Sequence, residues 1–189
     1  MNTLLYVKNL FRDKYVASVT PTSRFAVERI CEKMDFSKDR LVIEYGPGTG
    51  AFTEVILNLM TPASRLIAIE RNREFCRVLM NKISDGRLTV FNQCAGNVLD
   101  ILSGCNALQA DYVLSGIPFS YLPLEMRKDL LQKTYSVLKE GGKFLAYQTF
   151  YQPPKFLRIP LKEIFPILHT RLAILCVPPL LLYEAIKKE

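Results

Sequence analysis

The chain has 189 residues, of which 49% are hydrophobic and 23% charged, and this balance suits one globular domain with a sizeable core. One histidine and five cysteines without a CxxC pair argue against a His-rich metal site, a serine triad and a disulfide framework. We therefore expect no metal and reduced thiols in a cytoplasmic setting. The net charge of +7 favours a polyanionic partner, either an anionic lipid surface or nucleic acid.

Helical patterns come first, over residues 1–40. Apolar residues recur on one face of a basic segment, at Leu4, Leu5, Val7, Leu10, Phe11 and Tyr15. Such a helix could lie on an anionic membrane or pack on the rest of the domain, and both are compatible with the pattern. Thr22 or Ser23 could cap a second helix that runs to about Met34. No long apolar run opens the chain, so we expect no signal peptide.

Strands and helices alternate over residues 41–189. Strands are predicted at 41–44, 66–70, 88–92, 112–115 and 143–149, and helices at 52–60, 74–83, near 98, and 124–138 with a stop at Gly141-Gly142. Two more apolar runs, 170–177 and 180–186, flank Pro178-Pro179 and predict an antiparallel pair; they are too short to span a bilayer. The pattern predicts one α/β domain with a doubly wound, Rossmann-like, seven-stranded sheet, mostly parallel, with an antiparallel C-terminal strand pair.

A glycine-rich turn follows the first strand. Three glycines allow a sharp turn and the close approach of a ligand at the carboxyl end of a parallel strand. Twenty residues after the last of them, an acidic residue ends the second strand, where it can accept hydrogen bonds from both hydroxyls of a ribose. The sequence therefore predicts a site for a ribose-bearing cofactor, formed by Glu44, Tyr45, Gly46, Gly48, Gly50, Glu70 and Arg71.

The turn E-Y-G-P-G-T-G resembles motif I of class I S-adenosylmethionine-dependent methyltransferases, whose sheet is similarly closed by an antiparallel pair. The resemblance implies S-adenosyl-L-methionine as the cofactor. In that family the third strand usually ends in Gly-Asp-Ala, and the acid reaches the adenine amine. Here Cys94 stands at the position of the acid, before Ala95, and Asn97 could accept from the adenine amine instead.

The fourth strand ends in Ser115-Gly116-Ile117-Pro118-Phe119, which resembles the (Asn/Asp/Ser)-x-Pro-(Tyr/Phe) motif of amino-group methyltransferases. The resemblance implies that this stretch lies at the reaction centre, where carbonyl and side-chain oxygens direct an amine towards the methyl group. Ser115 would serve both the cofactor and the amine. Pro118 would fix the backbone, and Phe119 would offer a wall for a base or an amine. Tyr121 and Tyr15 are candidates to assist the amine in losing a proton.

Two families of amine methyltransferases share these features. Ribosomal RNA adenine dimethylases have Asn in place of Ser115-Gly116 and a further helical domain, for which this chain has no room. The small prokaryotic phospholipid N-methyltransferases, which act on phosphatidylethanolamine, are similar in four places: residues 18–24, 44–53, 115–119 with 122–123, and 177–179. This resemblance implies methylation of a phospholipid headgroup at the inner membrane face by a peripheral protein, with Arg24 paired to the lipid phosphate.

Other functions remain open from the sequence alone. One is an rRNA adenine-N6 or small-molecule amine methyltransferase, and another is a non-catalytic module that binds the cofactor or a membrane. The intact glycine turn argues against the second, and Cys94 keeps it open.

Overall fold

The computed structural model describes residues 24–174 and 178–188. The predicted amphipathic helix with Tyr15 and the caps Thr22 and Ser23 lie outside the described residues, as does the side chain of Arg24. None of the helices in the described ranges is long and apolar enough to cross a bilayer.

The described residues form six α-helices and seven β-strands. The helices are α1 Arg24–Cys31, α2 Ala51–Leu59, α3 Arg73–Lys82, α4 Val98–Gly104, α5 Leu124–Val137 and α6 Arg158–Ile164. The strands are β1 Leu41–Tyr45, β2 Arg65–Ile69, β3 Leu88–Phe91, β4 Ala110–Ser115, β5 Leu138–Thr149, β6 Ile167–Ala173 and β7 Leu180–Ile186. Short 3₁₀ turns lie at Ala95–Asn97, Phe119–Tyr121 and Pro154–Phe156.

All seven strands form one sheet, in the order β3-β2-β1-β4-β5-β7-β6. The first five strands are parallel, and β7 runs antiparallel to both of its neighbours, β5 and β6. The predicted fold class is thereby confirmed. β1 and β4 are neighbours although β2 and β3 separate them in sequence. The connection after β1 therefore leads to one side of the sheet and the connection after β4 to the other, and a crevice opens between them at the carboxyl ends of the two strands.

Apolar side chains cover both faces of the sheet. Successive residues of β1 point to opposite faces, so Val42 packs with α1 and α2 while Ile43 packs with α4 and α5. In the same way Leu145 and Phe144 of β5 belong to the two different clusters. Burial on both faces explains why the central strands are apolar almost throughout.

The glycine pair Gly141-Gly142 has a different role from the predicted one. We expected it to end the helix, but α5 ends at Val137 and the chain enters β5 at once. The pairing of β5 with β4 shifts register between Ala110 and Tyr112, and Gly141 there has a φ of 71°. The glycines therefore form an irregularity inside β5, and a Cβ at Gly142 would lie 2.7 Å from the carbonyl oxygen of Lys139.

Gly50, immediately before α2, combines a φ of 87° with close packing on α3, because a Cβ at this position would lie 2.6 Å from Leu79 Cδ1. We therefore expect Gly50→Ala to lower the free energy of unfolding by roughly 2 kcal/mol or more. Chemical denaturation checks this. Gly86→Ala is the matched control, since nothing lies within 4 Å of its added methyl group; equal losses in the two variants would contradict the prediction.

Candidate functional site

A cavity of about 240 Å³ lies at the carboxyl ends of the parallel strands. It is lined by segments 46–48 after β1, 69–72 after β2, 94–96 after β3, 116–118 after β4 and 147–149 at the end of β5. Side chains from α2, α3 and α5 complete its walls. The crevice expected from the strand order therefore contains this cavity.

Glu70 holds the glycine turn in place. Its carboxylate accepts hydrogen bonds from the backbone N–H of Gly48 at 3.0 Å and of Asn72 at 2.7 Å, and only 7% of the residue is exposed. The N–H of Gly46 donates to the carbonyl of Ile69 at 2.9 Å, which ties the turn to β2. A carboxylate oxygen can accept more than one hydrogen bond, so the oxygens of Glu70 can also accept from ribose hydroxyls.

Glu44 supplies a buried carboxyl beside this turn. The hydroxyl of Thr53, on α2, donates to it at 2.7 Å, and both side chains are buried. Burial raises the pKa of Glu44 from 4.5 to about 7; the hydrogen bond from Thr53 opposes this shift and the charge of Glu70 adds to it. A carboxyl balanced in this way becomes a carboxylate when a cation binds next to it, so it suits the ammonium group of an amino-acid moiety.

Gly116 joins the ends of β1, β4 and β5. Its N–H donates to the carbonyl of Tyr45 at 2.9 Å. A Cβ at this position would lie 3.0 Å from both the carbonyl oxygen of Gly46 and the hydroxyl of Tyr147. The close approach of the two loops therefore requires glycine here, and it brings Ile117 and Pro118 into the cavity wall.

Most of the residues predicted for the site line the cavity. They are Glu44, Gly46, Gly48, Glu70, Arg71, Cys94, Ala95, Gly116, Ile117 and Pro118. Cys94 lies in the wall where the resemblance implies an acid, and its thiol is exposed. The hydrogen-bond acceptors suit a nucleoside with a cationic amino-acid arm, because one carboxylate can accept from the ribose and a second from the arm.

Three residues predicted for the site have side chains that are buried away from the cavity lining. The Tyr45 ring is in the core, with its hydroxyl 3.3 Å from that of Thr134. Phe119 is 1% exposed and packs edge-on against Phe144, with 6.3 Å between the ring centroids, so it offers no wall to a substrate. Ser115 is fully buried, and its hydroxyl accepts from the N–H of Ile117 at 3.2 Å. It shapes the loop rather than holding an amine.

Three further predicted residues lie away from the cavity lining. Gly50 packs against α3, as described above. The side chain of Asn97 is exposed, and its amide nitrogen donates to Gln93 Oε1 at 3.3 Å. Tyr121 is half exposed, outside the cavity wall, and is not placed to take a proton from an amine there.

The end of β5 supplies residues that sequence reasoning missed. Tyr147, Gln148, Thr149 and Gln152 line the cavity, and the Tyr147 ring stacks on Phe52 with 5.3 Å between the centroids. The signal in the sequence was the change from apolar residues to Gln148-Thr149 at the carboxyl end of a strand. This change alone does not predict a site, because polar residues at a strand end are also typical of a plain loop.

Known proteins resemble this chain in sequence and in fold. The model of the ribosomal RNA adenine dimethylase family matches residues 10–101. An ornithine lipid N-methyltransferase from Singulisphaera acidiphila is 32% identical over 147 residues, which cover 72% of this chain and 76% of the relative.

In the described ranges, no group of three or more His, Cys, Asp or Glu side chains is placed to hold a metal ion.

Solved methyltransferases share the fold at low identity. The precorrin-6y C5,15-methyltransferase of Geobacter metallireducens superposes with a TM-score of 0.69 at 16% identity, over 87% of this chain and 88% of the other. An S-adenosylmethionine-dependent O-methyltransferase of Thermotoga maritima gives a TM-score of 0.67 at 16% identity, over 97% and 71%. With this fold, two carboxylates at the glycine turn and a relative similar over most of its length, the chain belongs to the S-adenosylmethionine-dependent methyltransferases, in the family of the ornithine lipid enzyme.

Proposed function

We propose that this protein methylates a primary amine of a lipid headgroup. The observation that carries the proposal is the 32% identical relative, which is named for N-methylation of ornithine lipid and of which the chain covers 76%. The site supports it, because the carboxylates of Glu44 and Glu70 lie on the β1–β2 side of the cavity and leave the β4–β5 side for an acceptor.

Bound S-adenosylmethionine supplies a methyl group activated by its sulfonium. The acceptor ammonium first loses one proton to water. Glu44 and Glu70 would hold the cofactor, and its sulfonium would supply the methyl group to the lone pair of the acceptor nitrogen. The work of the protein is alignment and exclusion of water, and the fixed Gly116–Pro118 wall serves both.

The headgroup has two possible sources with shared chemistry. Phosphatidylethanolamine, implied by the sequence resemblance, carries a primary ammonium next to a phosphate. Ornithine lipid carries a primary ammonium next to a carboxylate. Both present the amine on a short flexible arm, so the proposal names a primary lipid amine and leaves its source to experiment.

The test is transfer of labelled methyl groups to three acceptors offered separately: vesicles with ornithine lipid, vesicles with phosphatidylethanolamine, and unmodified ribosomal RNA. Label in either lipid supports the proposal, and the ratio of the two identifies the headgroup. The Glu70→Ala protein controls for contaminating activity. Label in RNA alone, or in none of the three while cofactor binding is intact, contradicts the lipid proposal.

Methylation of adenine in ribosomal RNA is the second candidate, favoured by the family match over residues 10–101. It would use an exposed aromatic ring at the β4 loop to stack the base. Phe119 is buried against Phe144 and cannot do so, which is why we place this function second.

A rim of exposed apolar side chains supports the lipid proposal. We define the rim as Tyr121, Leu124, Met126, Phe150 and Tyr151, all large apolar side chains with 46–66% exposure. Met126 also lines the cavity, and Phe150 follows cavity residue Thr149, so the rim borders the cavity mouth. Exposed Lys155 and Arg158 follow nearby in sequence. We propose that the rim rests on an anionic membrane and that the protein acts as a peripheral one.

Removing two aromatic rings from the rim tests this placement. We expect the double variant Phe150→Ser, Tyr151→Ser to lower activity on anionic vesicles about 10- to 30-fold, since each half-exposed ring can bury further apolar area in the bilayer. Activity on a short-chain, micelle-free lipid should change little. Leu108→Ser is the matched control, because Leu108 is 91% exposed and lies just before the start of β4, at the other end of the sheet. Equal effects on both substrates would contradict the membrane role.

A further inference from the structure

Arg127 of α5 is a buried cation without a carboxylate partner. Only 6% of the residue is exposed, and no carboxylate of the described residues forms an ion pair with it. Burial lowers the pKa of the guanidinium from its usual value, which shows that the fold stabilises its charge poorly. Buried charges are usually paired, so a charge left unpaired beside a cavity indicates a site that an anionic ligand completes.

The guanidinium of Arg127 joins two loops. Its Nε donates to the carbonyl of Phe119 at 3.2 Å and its Nη2 to the carbonyl of Leu122 at 2.8 Å, both in the loop after β4. Its Nη1 donates to the carbonyl of Lys155 at 3.2 Å, in the turn after β5. A guanidinium has five N–H donors, so two of them remain after these three bonds. Neutral carbonyls satisfy part of its hydrogen bonding and none of its charge.

These two loops border the cavity on the side proposed for the methyl acceptor. Leu122, whose carbonyl Arg127 holds, and Met126, which precedes it on α5, both line the cavity. Gln152, just before the turn Pro154–Phe156, lines it as well. The charge of Arg127 therefore lies next to the cavity wall, close to the rim defined above.

A second cation lies beside the first. The ring centroid of Phe156 is 5.0 Å from Arg127 Cζ and 5.4 Å from Lys155 Nζ, so both charges contact one aromatic ring. Lys155 is exposed and likewise forms no ion pair with a described residue. Two like charges on one ring repel each other, and an anion held by both removes this repulsion. A planar guanidinium with an ammonium beside it suits the oxygens of a phosphate or a carboxylate.

We propose that Arg127 and Lys155 form an anion site that binds the acidic group of the acceptor lipid's own headgroup. The proposal rests on the function proposed above and adds how the headgroup is oriented. Phosphatidylethanolamine carries a phosphate and ornithine lipid a carboxylate on the same short arm as the amine. An acidic group held at the mouth directs the amine into the cavity and leaves the nitrogen lone pair free. The site does not require Arg24, whose side chain lies outside the described residues.

Water-soluble probes separate this site from general attraction to a membrane. The protein, saturated with S-adenosylhomocysteine, is titrated by NMR with two pairs of amines. One pair is sn-glycero-3-phosphoethanolamine and 3-(2-aminoethoxy)propane-1,2-diol, which lacks the phosphate. The other is Nα-acetylornithine and its amide, which lacks the carboxylate. We expect the acidic member of at least one pair to bind about tenfold more tightly, and the pair with the larger ratio identifies the headgroup.

Four variants assign this affinity ratio to the two cations. Arg127→Gln keeps N–H groups for the carbonyls but removes the charge, so the ratio should fall to near one. Arg127→Lys keeps the charge and should retain most of the ratio. Lys155→Gln leaves the backbone carbonyl bond in place and should lower the ratio about twofold. Lys128→Gln is the matched control, since it removes an exposed charge from the next residue of α5 and should leave the ratio unchanged.

The ratio distinguishes anion binding from a role in holding the loops. Loop holding alone would change the affinity for both members of a pair equally, so an unchanged ratio in Arg127→Gln overturns the anion site, as does a wild-type ratio near one in both pairs. Thermal unfolding and S-adenosylhomocysteine binding show whether each variant is folded. If Arg127→Gln does not fold, an unchanged ratio in Lys155→Gln overturns the site instead.

Failure of the anion site and failure of the lipid function give different results. If lipid is labelled in the vesicle assays while both ratios are near one, the proposed function stands and the anion site is wrong. If a ratio of about ten is found and falls in Arg127→Gln but neither lipid is labelled, the anion site stands and the lipid substrate is wrong.

Discussion

Glu44→Gln is expected to stabilise the cofactor-free protein above pH 7 and to remove the pH dependence of cofactor binding. The pKa of Glu44 is raised by burial from 4.5 to about 7, so the folded protein holds a proton on this group that the unfolded chain releases. The contribution of this proton to the free energy of unfolding is fully present below pH 4.5 and is lost as the pH rises to about 7. The loss amounts to about 3 kcal/mol, which glutamine avoids because it cannot ionise.

Cofactor binding should follow the opposite trend. The carboxylate form of Glu44 attracts the cationic amino-acid arm, so affinity should rise about tenfold from pH 6 to pH 8 in the wild-type protein. Calorimetric titration with S-adenosylhomocysteine checks this, and the Glu44→Gln protein should bind more weakly at pH 8 with a flat profile.

Glu54→Gln serves as the control for both measurements, because Glu54 is an exposed partner of Lys82 at 2.8 Å. It should keep the wild-type pH profile. An unchanged slope in Glu44→Gln would show that another group carries the pH dependence.

Glu70→Ala is expected to weaken cofactor binding by a factor of 10² to 10³. The substitution removes the acceptor that holds the N–H groups of Gly48 and Asn72, and with it the acceptor offered to the ribose. Hydrogen bonds to a charged group contribute about 1.5–3 kcal/mol each, so the loss of two is consistent with this range. Glu70→Gln keeps one side-chain oxygen, so its affinity for the cofactor should lie between those of the wild-type and Glu70→Ala proteins.

The same titration measures the effect of Glu70→Ala. Glu140→Ala removes an exposed carboxylate inside β5, away from the cavity lining, and should leave affinity unchanged. Thermal unfolding of both variants distinguishes a lost contact from a lost fold. A Glu70→Ala protein that folds and binds the cofactor as the wild type does would remove Glu70 from the site.

Local chemistry decides which parts of the site could be predicted. The positions of Gly46, Gly48 and Glu70 could be read from sequence because a tight turn and a carboxylate one strand later are local features with fixed spacing. The parallel sheet with its antiparallel C-terminal strand pair could be predicted from the alternation of apolar strands and helices. The predictions for residues before Arg24 lie outside the described residues and stay predictions.

The direction of side chains at strand ends could not be predicted. Ser115 is buried at the end of β4, where it pairs with Ala146 of β5, and Phe119 packs against Phe144 of the same strand. Both contacts depend on the pairing of β4 with β5, which a single sequence does not reveal. The same holds for Gln148, whose orientation depends on Tyr183 of a strand 35 residues later. Long-range strand pairing, rather than local sequence pattern, determines the β4–β5 side of the cavity.

The position of β7 inside the sheet has a consequence for synthesis on the ribosome. β6 is made before β7 but contacts the sheet only through it, and the anchor of Gln148 also arrives with β7. The strands around Glu44 and Glu70 are all made by residue 115. A nascent chain can thus assemble the half of the cavity around Glu44 and Glu70 early, whereas the half at the end of β5 waits until residue 186 has left the exit tunnel.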